Sequence, residues 1–149
     1  MRRLYNELRK IIDALDRNRI DYAVCGGIAM AVYGSPRATV DIDILIDEKS
    51  LDSVIQLAGQ LGYTIRGVDL NFDEIKIRRV SKLDPVSKEL ITLDMLIVTR
   101  QIQKIWKTRI STNLEGGKLS VVSKDGLIAL KKIAGRPQDI ADIDALARG

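Results

Sequence analysis

The sequence predicts an α/β (α+β) fold in one domain, with helices and short strands alternating along the chain. Two observations support this prediction. Some segments repeat apolar residues every three or four positions, whereas others are short, apolar or alternating runs bounded by glycine and proline. With 149 residues, 46% hydrophobic residues and only 3 prolines, the chain suits one domain with a proper core.

Helices are predicted where the apolar spacing follows the helical period. In chain order, these segments are 4–15, 28–33, 51–61, 101–107, 125–133 and 140–146. Strands are predicted where short runs alternate or stay continuously apolar. These segments are 22–24, 41–46, 63–66, 75–78, 90–98 and 119–122, with 67–74 irregular.

We expect these elements to form a short mixed sheet with helices mainly on one face, and C-terminal helices that close a cleft. Residues 1–149 are interpreted as a single domain, with a core at about 1–100 and a C-terminal helical portion at about 101–149. No apolar run approaches the roughly 20 residues of a membrane span, and the N-terminus lacks the apolar stretch of a signal peptide. We therefore expect a cytoplasmic protein that does not associate with membranes.

Composition also limits the metal chemistry. The chain has one cysteine and no histidine, which excludes an internal disulfide and an ordinary zinc site. Oxygen-ligated Mg²⁺ or Mn²⁺ remains possible. The net charge of +4 suits a phosphate-rich partner or simply keeps the surface soluble, and the 4% aromatic content argues against a base-stacking platform.

Two acids interrupt the apolar strand 41–46. Asp41 and Asp43 are two positions apart, so their side chains share one face with Cα atoms about 6.5–7 Å apart and reach one ion. Asp94 similarly interrupts the strand 90–98. If the two strands are neighbours, three carboxylates converge and suit two Mg²⁺ ions. The alternative is a pair of surface acids at a sheet edge.

A glycine pair, Gly26-Gly27, lies between the strand 22–24 and the following helix. Glycines let the backbone approach a ligand closely, and a helix N-terminus attracts phosphate. A triphosphate bound there would place its reactive phosphorus near the acids. A plain turn explains the same two residues.

The order and spacing of these motifs resemble the DNA polymerase beta-type nucleotidyltransferase superfamily. Gly26-Gly27 is followed by thirteen residues, then Asp41-Ile42-Asp43, and later by Leu93-Asp94-Met95. More narrowly, the sequence resembles the AbiEii-like branch, which includes toxin-type nucleotidyltransferases of toxin-antitoxin systems. The residues that carry the narrower resemblance are Gly26-Gly27-Ile28-Ala29, Gly34, Arg37, Thr39, Asp41-Ile42-Asp43, Leu130-Lys131 and the segment from Arg136 to Asp142.

The resemblance implies metal-dependent transfer of a nucleoside monophosphate from an NTP to an acceptor hydroxyl, with release of pyrophosphate. It implies that Asp41, Asp43 and Asp94 are the catalytic and metal-binding acids, with Asp94 also helping to deprotonate the acceptor. The implied nucleotide-binding residues are Gly26, Gly27, Arg37, Thr39, Lys131 and Asp139. The acceptor would be tRNA, a protein hydroxyl or a small molecule such as an antibiotic, and a toxin would have a cognate antitoxin.

Ile28 departs from the pattern, because members of the branch often carry Ser or Thr directly after the two glycines. A hydroxyl contact to phosphate would then be missing. This departure favours an alternative from another class, a non-catalytic nucleotide- or metal-binding module that acts as a regulatory or interaction partner.

Several of these residues have ordinary structural explanations. Lys131 would also suit an exposed helix face, and Asp139 would also suit the first turn of a helix. Arg37 would bind phosphate or neutralise Asp41 or Asp43. The basic residues of the strand near 75–78, which include Arg79 beyond it, would guide an RNA acceptor or protect a sheet edge with charge.

Overall fold

Helices and strands alternate along the chain in the computed structural model, which describes residues 2–72 and 74–149. The helices are α1 (Arg2–Arg17), α2 (Gly26–Val32), α3 (Leu51–Gln60), α4 (Gln103–Lys107), α5 (Lys124–Ala134) and α6 (Pro137–Arg148). The strands are β1 (Ala23–Cys25), β2 (Asp41–Ile46), β3 (Ile65–Arg66), β4 (Leu70–Asn71), β5 (Lys76–Leu83), β6 (Leu90–Ile97), β7 (Ile110–Leu114) and β8 (Gly117–Val121). Asp73, in the segment predicted to be irregular, lies outside the described residues, as does Met1.

The strands form one mixed sheet in the order β3-β5-β6-β2-β1-β8-β7, with β4 also paired to β5. The pairs β2·β6 and β1·β8 are parallel, and the other pairs are antiparallel. This arrangement confirms the predicted α/β fold with a mixed sheet. None of the helices in residues 2–72 and 74–149 is long and apolar enough to cross a membrane.

The strand β2 separates the core from the acids by simple alternation. Ile42, Ile44 and Ile46 are fully buried, and α1 packs against this strand. Because alternate side chains point to opposite faces, Asp41 and Asp43 lie on the other face of the sheet. The apolar positions of β2 thus fix the acids to the rigid centre of the fold.

Sequence reasoning underestimated the length and number of the strands outside β2 and β6. The strand β5 runs over eight residues, twice the predicted length, because it pairs along its whole length with β6. The strand β7 was not predicted, and the structure pairs it with β8 at the end of the sheet. Its residues, Ile-Ser-Thr-Asn-Leu, are mostly exposed and show little apolar pattern. The division of the chain near residue 100 stays a prediction.

The two C-terminal helices pack against each other because local signals set a tight turn between them. Ser123 caps α5 by accepting a hydrogen bond from the amide of Gly126 at 3.0 Å. Gly135 ends α5 with a left-handed conformation, φ +65°, and Pro137 begins α6. The turn brings Lys131 of α5 against α6.

A polar group holds α1 to the sheet. Glu7 of α1 is buried and accepts a hydrogen bond from the Tyr63 hydroxyl at 2.9 Å. The ammonium of Lys82, in β5, lies 2.5 Å from Oε1 of Glu7, the same oxygen that accepts from Tyr63. Although burial opposes ionisation, the bonds from Lys82 and Tyr63 lower the pKa of Glu7.

Replacing Glu7 with Ala should lower the free energy of unfolding by about 3 kcal/mol, because it leaves Lys82 and the Tyr63 hydroxyl without their shared partner in a largely buried place. Urea unfolding at pH 7 measures the loss. Asp13→Ala is the matched control on α1, since the Asp13 side chain is 51% exposed and should change stability by less than about 0.5 kcal/mol. Equal losses in the two variants would contradict the importance of this group.

Candidate active site

Three carboxylates meet on the open face of the sheet. Asp43 of β2 and Asp94 of β6 are directly paired in the parallel ladder, so their side chains lie side by side on one face. Asp41 stands two residues before Asp43 on the same strand, opposite Thr92. The structure therefore brings together the three acids that the sequence predicted as catalytic.

Burial and neighbouring negative charges raise the pKa of two of these acids. Burial raises the pKa of Asp43 to about 7, and the charges of Asp94 and Asp41 add to this effect. Burial and the charge of Asp94 also raise the pKa of Asp41. Both carboxylates are therefore ready to accept a compensating positive charge.

The glycine pair fits closely against these acids. Gly26 has φ +64°, a conformation that favours glycine, and a Cβ at this position would collide with the Asp43 carboxylate. A Cβ at Gly27 would lie 2.8 Å from both Cβ and Oγ1 of Thr39. The two glycines are the first residues of α2. Their absent side chains let the turn lie directly on the acidic strand.

Thr39 connects the glycine turn to β2. Its side chain packs against Gly27, and its hydroxyl lies 3.5 Å from the amide nitrogen of Asp41. This contact is at the outer limit of a hydrogen bond. Thr39 therefore acts in this structure mainly as a spacer between the turn and the first acid.

Lys131 is buried, not exposed on its helix. Its ammonium donates a hydrogen bond to Asp142 at 2.7 Å and lies 3.9 Å from Asp139. The charge of Lys131 partly offsets the rise in the pKa of Asp43. The solvated-face explanation of Lys131 is therefore wrong.

Arg37 forms no hydrogen bond or ion pair with Asp41, Asp43 or Asp94 among the described residues. Its Nε and Nη2 atoms each donate to Asp142 at 2.9 Å, and Gln138 donates to the same carboxylate at 2.9 Å. Burial opposes ionisation, but these bonds and that of Lys131 lower the pKa of Asp142. Asp142 thus joins α5, α6 and the segment before β2, a role that sequence reasoning missed because the partners are 105 positions apart.

Asp139 closes the first turn of α6. It accepts a hydrogen bond from the amide of Arg136 at 3.1 Å and another from the Nε of the same residue at 2.7 Å. Despite burial, these bonds lower the pKa of Asp139. The charge of Arg136 also reaches Asp41 and Asp43 and lowers the pKa of both. Sequence reasoning assigned no separate role to Arg136.

Arg79 lies on the other side of the acids. Its Nε donates to Oδ1 of Asp94 at 2.7 Å, and its Nη2 donates to Oδ2 at 2.9 Å. The pKa of Arg79 is raised by this bonding. The sequence signalled this contact only through the alternation of residues along the strand. That alternation identifies Asp94 as the partner of Arg79 only once the pairing of β5 with β6 is known.

The donor set fits a hard divalent cation. It consists of carboxylate oxygens, the ligands that Mg²⁺ and Mn²⁺ prefer. Cys25 is cross-strand from Asp43, but burial and the Asp43 charge hold its pKa well above the usual value, so it stays a neutral thiol. In the described part of the chain, no three Asp, Glu or Cys side chains are grouped tightly enough to hold a metal as they stand. Asp94 is engaged by Arg79, which leaves Asp41 and Asp43.

Ile28 is fully buried among the apolar residues of the core. The side chain after the two glycines therefore packs into the core and does not face a ligand. This accounts for the isoleucine without reference to the ligand.

A family model agrees with this geometry. The model of the aminoglycoside-2''-adenylyltransferase family matches residues 7–94, which is more than half of the chain. The matched span contains the glycine turn and all three acids. A search of curated protein sequences found no match.

Solved structures share the fold. TM1012 of Thermotoga maritima, a proposed nucleotidyltransferase, has a TM-score of 0.67 and 17% identity over 97% of this chain and 92% of its own. The lincosamide antibiotic adenylyltransferase LnuA with bound lincomycin has a TM-score of 0.63 and 20% identity, covering 95% of each chain. ANT(2'')-Ia in complex with adenylyl-2''-tobramycin has a TM-score of 0.65 and 14% identity over 99% of this chain and 89% of its own.

Replacing Asp43 with Asn should stabilise the metal-free protein increasingly as pH rises. The folded-state pKa of about 7 is above the ordinary 3.8, so ionised Asp43 costs stability as pH rises through this window and the cost is complete above pH 7. Urea unfolding in EDTA should show a variant-minus-wild-type difference that grows by about 4 kcal/mol between pH 4 and pH 8. The matched control is Asp52→Asn on the exposed side of α3. A pH-independent difference for Asp43→Asn would contradict the assigned pKa.

Proposed function

The chain belongs to the aminoglycoside-2''-adenylyltransferase family and is a nucleotidyltransferase, and from the geometry of its acids we propose a metal-dependent reaction. The protein transfers a nucleoside monophosphate, with ATP as the expected donor, to an acceptor hydroxyl. The observation that carries this proposal is the side-by-side placement of Asp43 and Asp94, with Asp41 two residues away.

The acids have separate roles in this proposal. Asp41 and Asp43 hold divalent ions, and Asp94 binds one ion and takes the proton from the acceptor. Bound Mg²⁺ or Mn²⁺ supplies neutralising charge to the triphosphate and to the developing transition state. Since β2 and β6 are central strands, the carboxylates are fixed before substrate arrives.

The nucleotide-binding roles are proposals of the same kind. Gly26 and Gly27 lie against the acidic strand, and the turn gives the triphosphate close access to backbone amides. Lys131 provides a point charge, and Asp139 holds the turn that carries it. Arg37 and Thr39 act through position: Arg37 holds Asp142, and Thr39 holds the glycine turn.

In the reaction, the acceptor oxygen forms a bond to the α-phosphorus, and the bond between that phosphorus and the oxygen bridging to the β-phosphate breaks. The bonding electrons leave with pyrophosphate, and the acceptor proton passes to Asp94. Positioning and charge neutralisation suffice for this transfer, so the protein needs no covalent intermediate.

Membership of an enzyme family makes the non-catalytic module the weaker alternative. Its only support was Ile28, which the core explains. The narrower AbiEii-like relationship is a proposal that rests on the motif residues between Gly26 and Asp43 and on the two C-terminal motifs.

The cations around the three acids indicate which charge the acceptor molecule carries. Arg79, Arg136 and Lys131 are the cations whose fields reach Asp41 or Asp43. Asp139 and Asp142, the acids nearest to them in α6, are already bonded to cations within the chain. This arrangement favours an acceptor with little positive charge, or an anionic one such as tRNA, over a polycationic aminoglycoside.

Incubation of the protein and Mg²⁺ with α-labelled NTPs and a cell extract tests the proposal. Label should enter the RNA, protein or small-molecule fraction, and pyrophosphate should appear in equal amount. Purified tobramycin and lincomycin form separate arms that represent the two antibiotic classes. Release of pyrophosphate with no labelled product, or no consumption of any NTP, would contradict the proposed transfer.

Changing Asp41 or Asp43 to Asn should lower the transfer rate by about a thousandfold or more, because charge stabilisation worth several kcal/mol depends on each carboxylate. Rates of pyrophosphate release measure this effect. Asp47→Asn, one residue beyond β2, is the matched control and should keep normal activity. Normal labelling by the Asp43→Asn variant would show that the acid assignment is wrong.

The toxin role makes a separate prediction. Induced expression in a bacterial host should arrest growth, co-expression of a cognate antitoxin should restore it, and the Asp43→Asn variant should not arrest growth at the same protein level. Plating efficiency and immunoblots measure these outcomes. Normal growth with soluble, active wild-type protein would contradict a toxin role but not the nucleotidyltransferase activity.

A further inference from the structure

Arg79 makes a paired contact with one of the three acids. The Nε and Nη2 atoms of its guanidinium donate to the two oxygens of Asp94 at 2.7 and 2.9 Å. Asp94 is 5% exposed, whereas the Arg79 side chain is 42% exposed. A bidentate bond fixes the plane of the carboxylate as well as its charge. The partly exposed guanidinium of Arg79 thus binds both oxygens of the buried Asp94 carboxylate.

A glycine holds the arginine stem in this place. The Gly67 amide donates to the Arg79 carbonyl at 2.9 Å. A Cβ at Gly67 would lie 2.9 Å from Cγ and 3.0 Å from both Cβ and Cδ of Arg79. These are the stiff inner atoms of the side chain, so any larger residue would displace it. The close packing shows that the direction of Arg79 is set by the fold.

The neighbouring arginines do not share this contact. Arg78 alternates to the opposite face, where its Nε lies 3.5 Å from Asp69. Arg66 lies 2.7 Å from the same carboxylate through its Nη2. Among the described arginines of this region, Arg79 is therefore the one that reaches an acid of the site.

We propose that Arg79 is a positioning residue that holds Asp94 beside Asp43 in the metal-free enzyme and competes with a divalent cation for that carboxylate. The inference rests on the proposed metal-dependent function and adds a role for Arg79 at Asp94 that the proposed function did not include. Both oxygens of Asp94 accept hydrogen bonds from Arg79, so a cation that binds this carboxylate has to displace the guanidinium. Competition of this kind reduces the apparent affinity by the fraction of time that the competing state is occupied.

Binding of Mn²⁺ to the nucleotide-free protein tests the inference without reference to turnover. Calorimetry, or the electron paramagnetic resonance signal of free Mn²⁺, gives the dissociation constant. Arg79→Gln should bind Mn²⁺ about fivefold tighter than wild type, since a partly exposed ion pair no longer has to be displaced. A residue with only a structural role would give the opposite sign, because disturbing the site would weaken metal binding.

Two further variants show whether Mn²⁺ affinity depends on the Arg79–Asp94 ion pair itself or only on the loss of a positive charge near the site. Gly67→Ala keeps every charge but pushes the Arg79 stem away, so it should also tighten Mn²⁺ binding. Arg78→Gln removes one charge from the adjacent position on the other face, and its effect should be smaller than that of Arg79→Gln. In an Asp94→Asn background, the effect of Arg79→Gln should disappear.

Unchanged or weaker Mn²⁺ binding by folded Arg79→Gln, or equal tightening by Arg78→Gln, would overturn the role of Arg79. If wild type binds Mn²⁺ only when a non-hydrolysable ATP analogue is present, the same comparison is made with that analogue. Absence of Mn²⁺ binding in wild type under both conditions, together with absence of transfer, would instead count against the proposed function. Circular dichroism and thermal unfolding confirm that each variant is folded.

Discussion

Repulsion among three carboxylates on two neighbouring strands is the constraint on which the surrounding structure depends. Asp43 and Asp94 are direct partners in the ladder, and Asp41 adds a third negative charge on the same face. Burial raises the pKa of Asp43 to about 7, and the charges of Asp94 and Asp41 add to this rise. Burying such a cluster is unfavourable unless cations surround it. Arg79 and the C-terminal helices supply the cations, and the glycine turn leaves room for the Asp43 carboxylate.

The compensating charges come from distant parts of the sequence. Arg79 approaches from β5, whereas Lys131 and Arg136 approach from the two ends of the α5–α6 turn. Neither C-terminal cation is free to collapse onto the acids, because Asp142 and Asp139 hold them. The helices therefore bring positive charge whose effect reaches Asp43, while both cations stay bonded to acids of α6.

The sequence predicted what local spacing determines and missed what pairing determines. Alternation in β2 placed Asp41 and Asp43 on one face because strand geometry is a local property. Whether Asp94 joined them depended on the register of β2 with β6, and the contacts of Arg37 and Arg79 depended on side chains far away in sequence or on a neighbouring strand. The strand β7 was missed for a related reason, since its partner β8 stabilises it and its own residues carry little pattern.

The acids and their cations differ in how easily they exchange partners. The carboxylates are fixed to central strands, but the side chains of Arg79 and Arg136 are 42% and 71% exposed, so water replaces their bonds at modest cost. Lys131 is buried and is the exception. Its partner Asp142 also accepts bonds from Arg37 and Gln138, and these remain if the lysine turns toward a phosphate. Because Asp142 would not be left unpaired, the cost of redirecting Lys131 stays small, and the network around Asp142 makes a buried lysine available to a ligand.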